Sequence, residues 1–145
     1  MAVKPIPEGY HSYTPYFVVE GAVKFIEFLQ SAFGATETMR MPMPDGKLGH
    51  AEMRLGDSAV MLADGGAEQP ARQLNGMVYV ADCDAVFKKA VAAGGKGVRE
   101  PANQFYGDRM GVVLDPWGNS WAIATHVEDV APDEMKRRMK AQKPM

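Results

Sequence analysis

Apolar positions recur along the chain at two periods, and the same order of periods appears twice. From Ala22 to Phe33 they follow a helix: Phe25, Ile26, Leu29, Ala32 and Phe33 share one face, Lys24, Glu27, Gln30 and Ser31 lie elsewhere, and Gly34 supplies a stop. Before this helix, the aromatic and β-branched run Tyr13–Val19 predicts a strand, which Pro15 confines to a sheet edge or to its own first residues. After it, alternation predicts strands over Thr36–Met41, Gly49–Leu55 and Ser58–Ala63, parted by the loop Pro42-Met43-Pro44-Asp45-Gly46 and the turn Gly56-Asp57. The unit is βαβββ.

A second unit repeats that order. A strand over Met77–Val80 leads to a helix with Val86, Phe87, Ala90 and Val91 on one face, then to Gly94-Gly95 and strands over Lys96–Arg99, Arg109–Leu114 and Ser120–His126. Superposed at an offset of about sixty-two residues, Phe87 falls on Phe25, Val91 on Leu29, Val80 on Val18 and Asp82 on Glu20. Asp115-Pro116-Trp117-Gly118-Asn119 joins the last two strands as a turn, with Pro setting φ and Gly free to take φ > 0. The polar stretch Ala67–Leu74 reads as the linker. Beyond residue 130, Pro132, Asp133 and Glu134 open a segment that Lys136, Arg137, Arg138 and Lys140 close, which suits a helix over about 131–142 and its macrodipole. Its basic end reads as solvated, and Met135 and Met139, four apart, are placed to dock on the body or on a second subunit.

The chain has 145 residues, 46% of them hydrophobic and 23% charged, so one domain with an ordinary core is expected, with modules at about 11–66 and 75–127. A net charge of −2 offers no broad basic field for phosphates, which argues against nucleic acid and anionic membranes as partners. The single cysteine, Cys83, cannot close an internal disulfide, and no apolar segment approaches the length of a membrane span or a signal peptide; a cytoplasmic protein is expected.

Candidate chemistry concentrates in a few places. His50, Glu52 and Arg54 alternate along one predicted strand and share a face, while Ala51, Met53 and Leu55 share the other. A two-residue Gly56-Asp57 turn would pair Met53 with Val60 and put the apolar row on the face assigned to Val60 and Leu62, so a bulge or three-residue turn is expected there. His50 and Glu52 suit an acid/base pair or half of a metal site; the alternative is a hydrogen-bonded polar pair within a sheet. Arg109, after Tyr106-Gly107-Asp108, could present its fork to a substrate anion beside a stacking Tyr106, or simply pair with Asp108. Met39, Met41 and Met43 fall at period two and could line an apolar binding surface or fill a core. Trp117 is a candidate stacking residue, Trp121 reads as core, and His126 suits surface hydrogen bonding; His11 is assigned no role.

The tandem units, with Thr14-Pro15-Tyr16-Phe17-Val18-Val19, Phe28-Leu29-Gln30-Ser31-Ala32-Phe33-Gly34-Ala35 and Asp115-Pro116-Trp117-Gly118-Asn119, resemble the vicinal oxygen chelate superfamily of glyoxalases, bleomycin-resistance proteins and extradiol dioxygenases. Gly49-His50-Ala51-Glu52-Met53-Arg54-Leu55-Gly56-Asp57 and Trp121–Val130 are most similar to its PhnB-like branch. The resemblance implies an α+β fold whose two βαβββ modules form a cup-shaped mixed sheet, a small-molecule ligand and a homodimer. Metal-dependent relatives hold a divalent ion with His or Glu from four strands. Thr14, Leu62, Asn75 and Ala122 fall at those positions here, so no cofactor is expected and a divalent metal only at a relocated site. The first expectation is therefore a metal-independent protein that sequesters an apolar or aromatic compound, with Met39, Met41, Tyr106 and Trp117 at the ligand. The alternative is an isomerase or lyase of the same superfamily that uses His50 and Glu52 for catalysis and Arg109 as anion anchor.

Overall fold

The computed structural model describes residues 2–142, in two compact units that divide between Leu74 and Asn75. In the first, β1 (Tyr16–Val19) leads to α1 (Ala22–Phe33) and then to β2 (Thr36–Pro42), β3 (Leu48–Leu55) and β4 (Ser58–Asp64). The sheet order is β1-β4-β3-β2, with β1 parallel to β4 and the other pairs antiparallel. The second repeats this with β5 (Asn75–Tyr79), α2 (Cys83–Ala92), β6 (Lys96–Asn103), β7 (Asp108–Leu114) and β8 (Ser120–His126), in the order β5-β8-β7-β6, followed by α3 (Pro132–Lys140).

The helices α1 and α2 each cover one face of their own sheet. α1 buries Phe25, Ile26, Leu29 and Ala32 against Ala51, Met53, Val60 and Leu62, and every one of these is at most 4% exposed. Gly34, at φ 68°, ends the helix with backbone bonds from its own amide to Gln30 and from Ala35 to Leu29. The start of α1 has no cap of its own, because Gly21 precedes it. Asp64, at the end of β4, reaches across instead, and its Oδ1 accepts from the Gly21 and Ala22 amides while Oδ2 accepts from Leu48. Burial works to raise the Asp64 carboxyl, yet those amides pull it below its ordinary value. In the second unit Thr125 does the same work, accepting from the Cys83 amide and donating to the Val80 carbonyl.

Equivalent positions in the units are therefore sixty-one apart in the helix and the last strand: Ala22 with Cys83, Ile26 with Phe87, Leu29 with Ala90, Asp64 with Thr125. This corrects the sequence superposition by one residue and explains why Val91, expected on the buried face, is exposed. Phe87 itself lies flat on β6 and β7, where Gly97 and Gly111 leave room: a Cβ on either would come within 3 Å of its ring.

The β3–β4 connection corrects a second expectation. Leu55 pairs with Ser58 and Met53 with Val60, so Gly56-Asp57 is a two-residue turn with no bulge. Val60 and Leu62 thus share the α1 face with Met53 and Ala51. In this sheet the register irregularities occur between β2 and β3 instead, at Glu37/Met39 and Met41/Pro42.

The corresponding turn in the second unit is built around one carboxylate. Asp115, 4% exposed, accepts from the amides of Trp117 and Asn119, the Asn119 side-chain amide and Trp121 Nε1, each at 2.9 Å. Trp121 is core, as expected. Replacing Asp115 with Ala leaves buried donors unpaired and is expected to cost roughly 3 kcal/mol in urea unfolding, whereas Asp57→Ala in the exposed turn of the first unit should change stability by less than about 0.5 kcal/mol.

Candidate functional site

On the face of the first sheet opposite α1, β3 presents His50, Glu52 and Arg54, all half-buried. Register places Tyr16 beside Met61, Met61 beside Glu52, Glu52 beside Met39, and His50 beside Met41. Thioethers thus stand on both sides of Glu52 along one row of the sheet. Met39 and Met41 are exposed, because they lie on the edge strand, and Met43 continues the row into the β2–β3 loop.

The polar side chains form a continuous chain of hydrogen bonds. His50 Nε2 lies 2.8 Å from Glu52 Oε2 and Nδ1 lies 3.1 Å from the Tyr16 hydroxyl, with the two rings 5.6 Å apart. The remaining Glu52 oxygen, Oε1, accepts from the Tyr10 hydroxyl. Facing a carboxylate, Nε2 carries the proton of the neutral imidazole, so Nδ1 accepts from Tyr16. Protonation at Nδ1 reverses that bond, with the Tyr16 oxygen accepting. Side-chain exposures of 21% for His50 and 17% for Glu52 leave part of the pair open to a ligand.

At the equivalent positions of the second unit stand Met110, Val112 and Leu114, since β7 matches β3 at an offset of sixty (Met53 pairs with Val60, Val113 with Trp121). That face carries no polar row. Its polar cluster lies at the end of the strands: Asp108, 4% exposed, accepts from Tyr79 at 2.8 Å and lies 2.9 Å from His126 Nδ1, while His126 Nε2 lies 2.7 Å from Asp129. The bonds to Asp108 and then Asp129 hold the imidazolium of His126 and raise its pKa, and the Asp108 bond likewise raises that of the Tyr79 phenol. Only the His126 end of this cluster was legible in the sequence, because Tyr79, Asp108 and the His126–Asp129 pair come from three separate segments.

Arg109 belongs to neither group. It pairs with Thr125 in the register and so lies on the α2 face, where its fork grips Asp84 at 2.7 and 3.0 Å and reaches Asn103. The alternative reading of an Arg109–Asp108 pair is corrected: Asp108 and Arg109 point to opposite faces. The Tyr106 hydroxyl meets Met110 Sδ at 3.7 Å and its ring packs edge-on against Phe105, and Trp117 is half-buried in the Asp115 turn. Met39, Met41, His50 and Glu52 are thus brought together, whereas Tyr106, Arg109 and Trp117 belong to the second unit. A groove of about 560 Å³ between α2 and β6, floored by Phe87 and Pro101, holds none of the residues expected at the ligand.

The position assigned to Leu62 in the relatives' metal set falls on the α1 face; Met61 is its neighbour on the Glu52 face. A thioether at Met61 and a methyl at Ala122 do not supply the imidazole or carboxylate donors a divalent ion of this kind needs, and among the described residues no three His, Cys, Asp or Glu side chains gather to hold one. The donor set does not fit the metal of the metal-dependent members.

Residues 14–123 match the Glyoxalase/Bleomycin resistance protein/Dioxygenase superfamily, and the chain belongs to that family. It is 39% identical over 140 residues to the uncharacterized protein Mb0911c of Mycobacterium bovis, an alignment covering 89% of this chain and 92% of that one. Among solved structures it is similar to TioX from Micromonospora sp. ML1 (22% identity, TM-score 0.68, covering 81% of this chain and all of that one). It is also similar to the PhnB protein of Bacillus cereus (19% identity, TM-score 0.62, covering 79% and 99%). These likenesses match the α+β fold of paired βαβββ units. No described helix is long and apolar enough to cross a membrane.

The His126 cluster has a pH signature. Its folded-state pKa lies above the unfolded value of about 6.5, so the stability it contributes is fully present below that pH and is lost as pH rises through the folded value. Melting temperatures at about pH 6 and pH 9 should therefore differ more in the wild type than in His126→Gln. Equal differences in the two proteins would show that the imidazolium adds nothing to the fold.

Proposed function

We propose that the face of the first sheet bearing His50 and Glu52 binds a small apolar or aromatic molecule, which Met39, Met41 and Met61 contact and the His50–Glu52 pair orients, without a metal of the superfamily's usual kind. The observation that carries this reading is the placement of a hydrogen-bonded imidazole–carboxylate pair between flexible thioethers, on a face that no helix of its own unit covers. Sites for small molecules combine apolar walls with a few convergent polar groups, and methionine adapts those walls to different ligands. A cytoplasmic homodimer is the setting in which we expect the ligand to bind.

A second reading draws support from the bracketing of His50 by Glu52 and Tyr16, an arrangement suited to proton transfer. In that case the protein is an isomerase or lyase in which Glu52 holds the imidazole and His50 moves the proton.

Titration calorimetry against a panel of aromatic compounds separates the two. A binding protein should show a compound whose affinity falls about tenfold or more in the double variant Met39→Ser, Met41→Ser, while His50→Ala changes it by less. An enzyme would turn that compound over and lose roughly 100-fold or more in rate on His50→Ala. Affinity unchanged in the methionine variant would contradict the binding face.

A further inference from the structure

The segment before β1 crosses the candidate face. The Gly9 carbonyl accepts from Arg54 Nη1 at 2.6 Å, and the Tyr10 hydroxyl donates to Glu52 Oε1. Gly9, at φ 83°, shapes the turn closed by the bond from the Tyr10 amide to the Pro7 carbonyl at 3.1 Å. Residues 2–9, 11 and 12 are exposed, and Tyr10 alone in this stretch is half-buried. Residues 2–12, a long exposed stretch, are therefore fixed to the sheet by two hydrogen bonds, both to the row that begins with His50.

The two oxygens of Glu52 have separate tasks. Oε2 belongs to His50, which leaves Oε1 as the acceptor for an incoming donor, and Tyr10 has it. Met61 and Met39 stand on either side of Glu52 in the register, so the position suits a flat apolar ring carrying a hydroxyl. A carboxylate or phosphate placed there would meet the Glu52 charge instead. We propose that Tyr10 is an intramolecular occupant of the ligand position, and that the segment before β1 is a strap that lifts to admit a ligand bearing a phenol-type hydroxyl. This rests on the reading of the His50 and Glu52 face as a binding site and adds to it the ligand's donor group and the means of its exclusion. A tethered phenol competes at an effective concentration in the millimolar range for short flexible links, so its removal should uncover binding that the intact chain suppresses. An element held by so few contacts also opens at low cost.

The test uses the full chain and p-cresol, which is the tyrosine side chain without its backbone, with toluene as the control lacking the donor. Binding is followed by calorimetry and by the ring nitrogen and proton signals of His50. Tyr10→Ala should bind p-cresol about tenfold tighter or more than the wild type, with little gain for toluene, and Glu52→Gln added to Tyr10→Ala should remove the gain. Tyr10→Phe, which keeps the ring and loses the donor, should fall between wild type and Tyr10→Ala. Equal p-cresol affinity in wild type and Tyr10→Ala, or an equal gain for toluene, would overturn the strap. If the strap fails while an aromatic ligand still depends on Met39 and Met41, the binding face stands. If no compound perturbs His50 in wild type or Tyr10→Ala, the face itself is refuted.

Discussion

The register of β3 against β4 decides which chemistry the first unit presents. With Gly56-Asp57 as a two-residue turn, Met53 lies opposite Val60 and Ala51 opposite Leu62, and the four seal against α1. Side chains in a strand alternate between faces, so a slip of one residue would drive His50, Glu52 and Arg54 under the helix and turn the apolar set to the other side. Burying an imidazole and a carboxylate there without their partners costs far more than any packing gain could offset. The same apolar contacts that hold the helix therefore hold the polar row in place on the opposite face.

The second unit uses the same architecture for a different surface. Its helix start is tied to the last strand by Thr125 as the first is by Asp64, so the backbone plan is shared. Along β7, however, the row is Met110, Val112 and Leu114, and ionisable groups gather at the strand ends around Asp108 and His126. The turn before β8, longer than its counterpart, is braced by the buried Asp115 carboxylate, whereas Gly56-Asp57 is exposed. Duplication of one unit followed by divergence of one strand face is enough to give a chain with a polar candidate site in one half and an apolar sheet face in the other.

Local signals were legible in the sequence. Helical periodicity marks α1 at its observed bounds, Gly34 ends it, and alternation separates His50, Glu52 and Arg54 from Ala51, Met53 and Leu55. The expected bulge required Val60 and Leu62 on the other face; they lie on the α1 face, and Gly56-Asp57 is an ordinary two-residue turn. Long-range partners were beyond sequence reading. Tyr10 meets Glu52 across 42 positions, Arg109 meets Asp84 across 25, and Asp108 meets His126 across 18, and no local pattern marks such pairs. Arg109 follows Tyr106, Gly107 and Asp108 in sequence, and strand alternation places it on the helix side, where its guanidinium pairs with Asp84.

Eleven methionines distributed through both units provide a direct test of where a ligand sits. With an aromatic ligand bound to protein carrying carbon-13 in its methionine methyls, the account predicts that the signals of Met39, Met41 and Met61 move while Met77 and Met110 stay in place. Shifts confined to Met77 and Met110, with the three methyls beside His50 and Glu52 unmoved, would place binding on the second sheet and contradict the central claim.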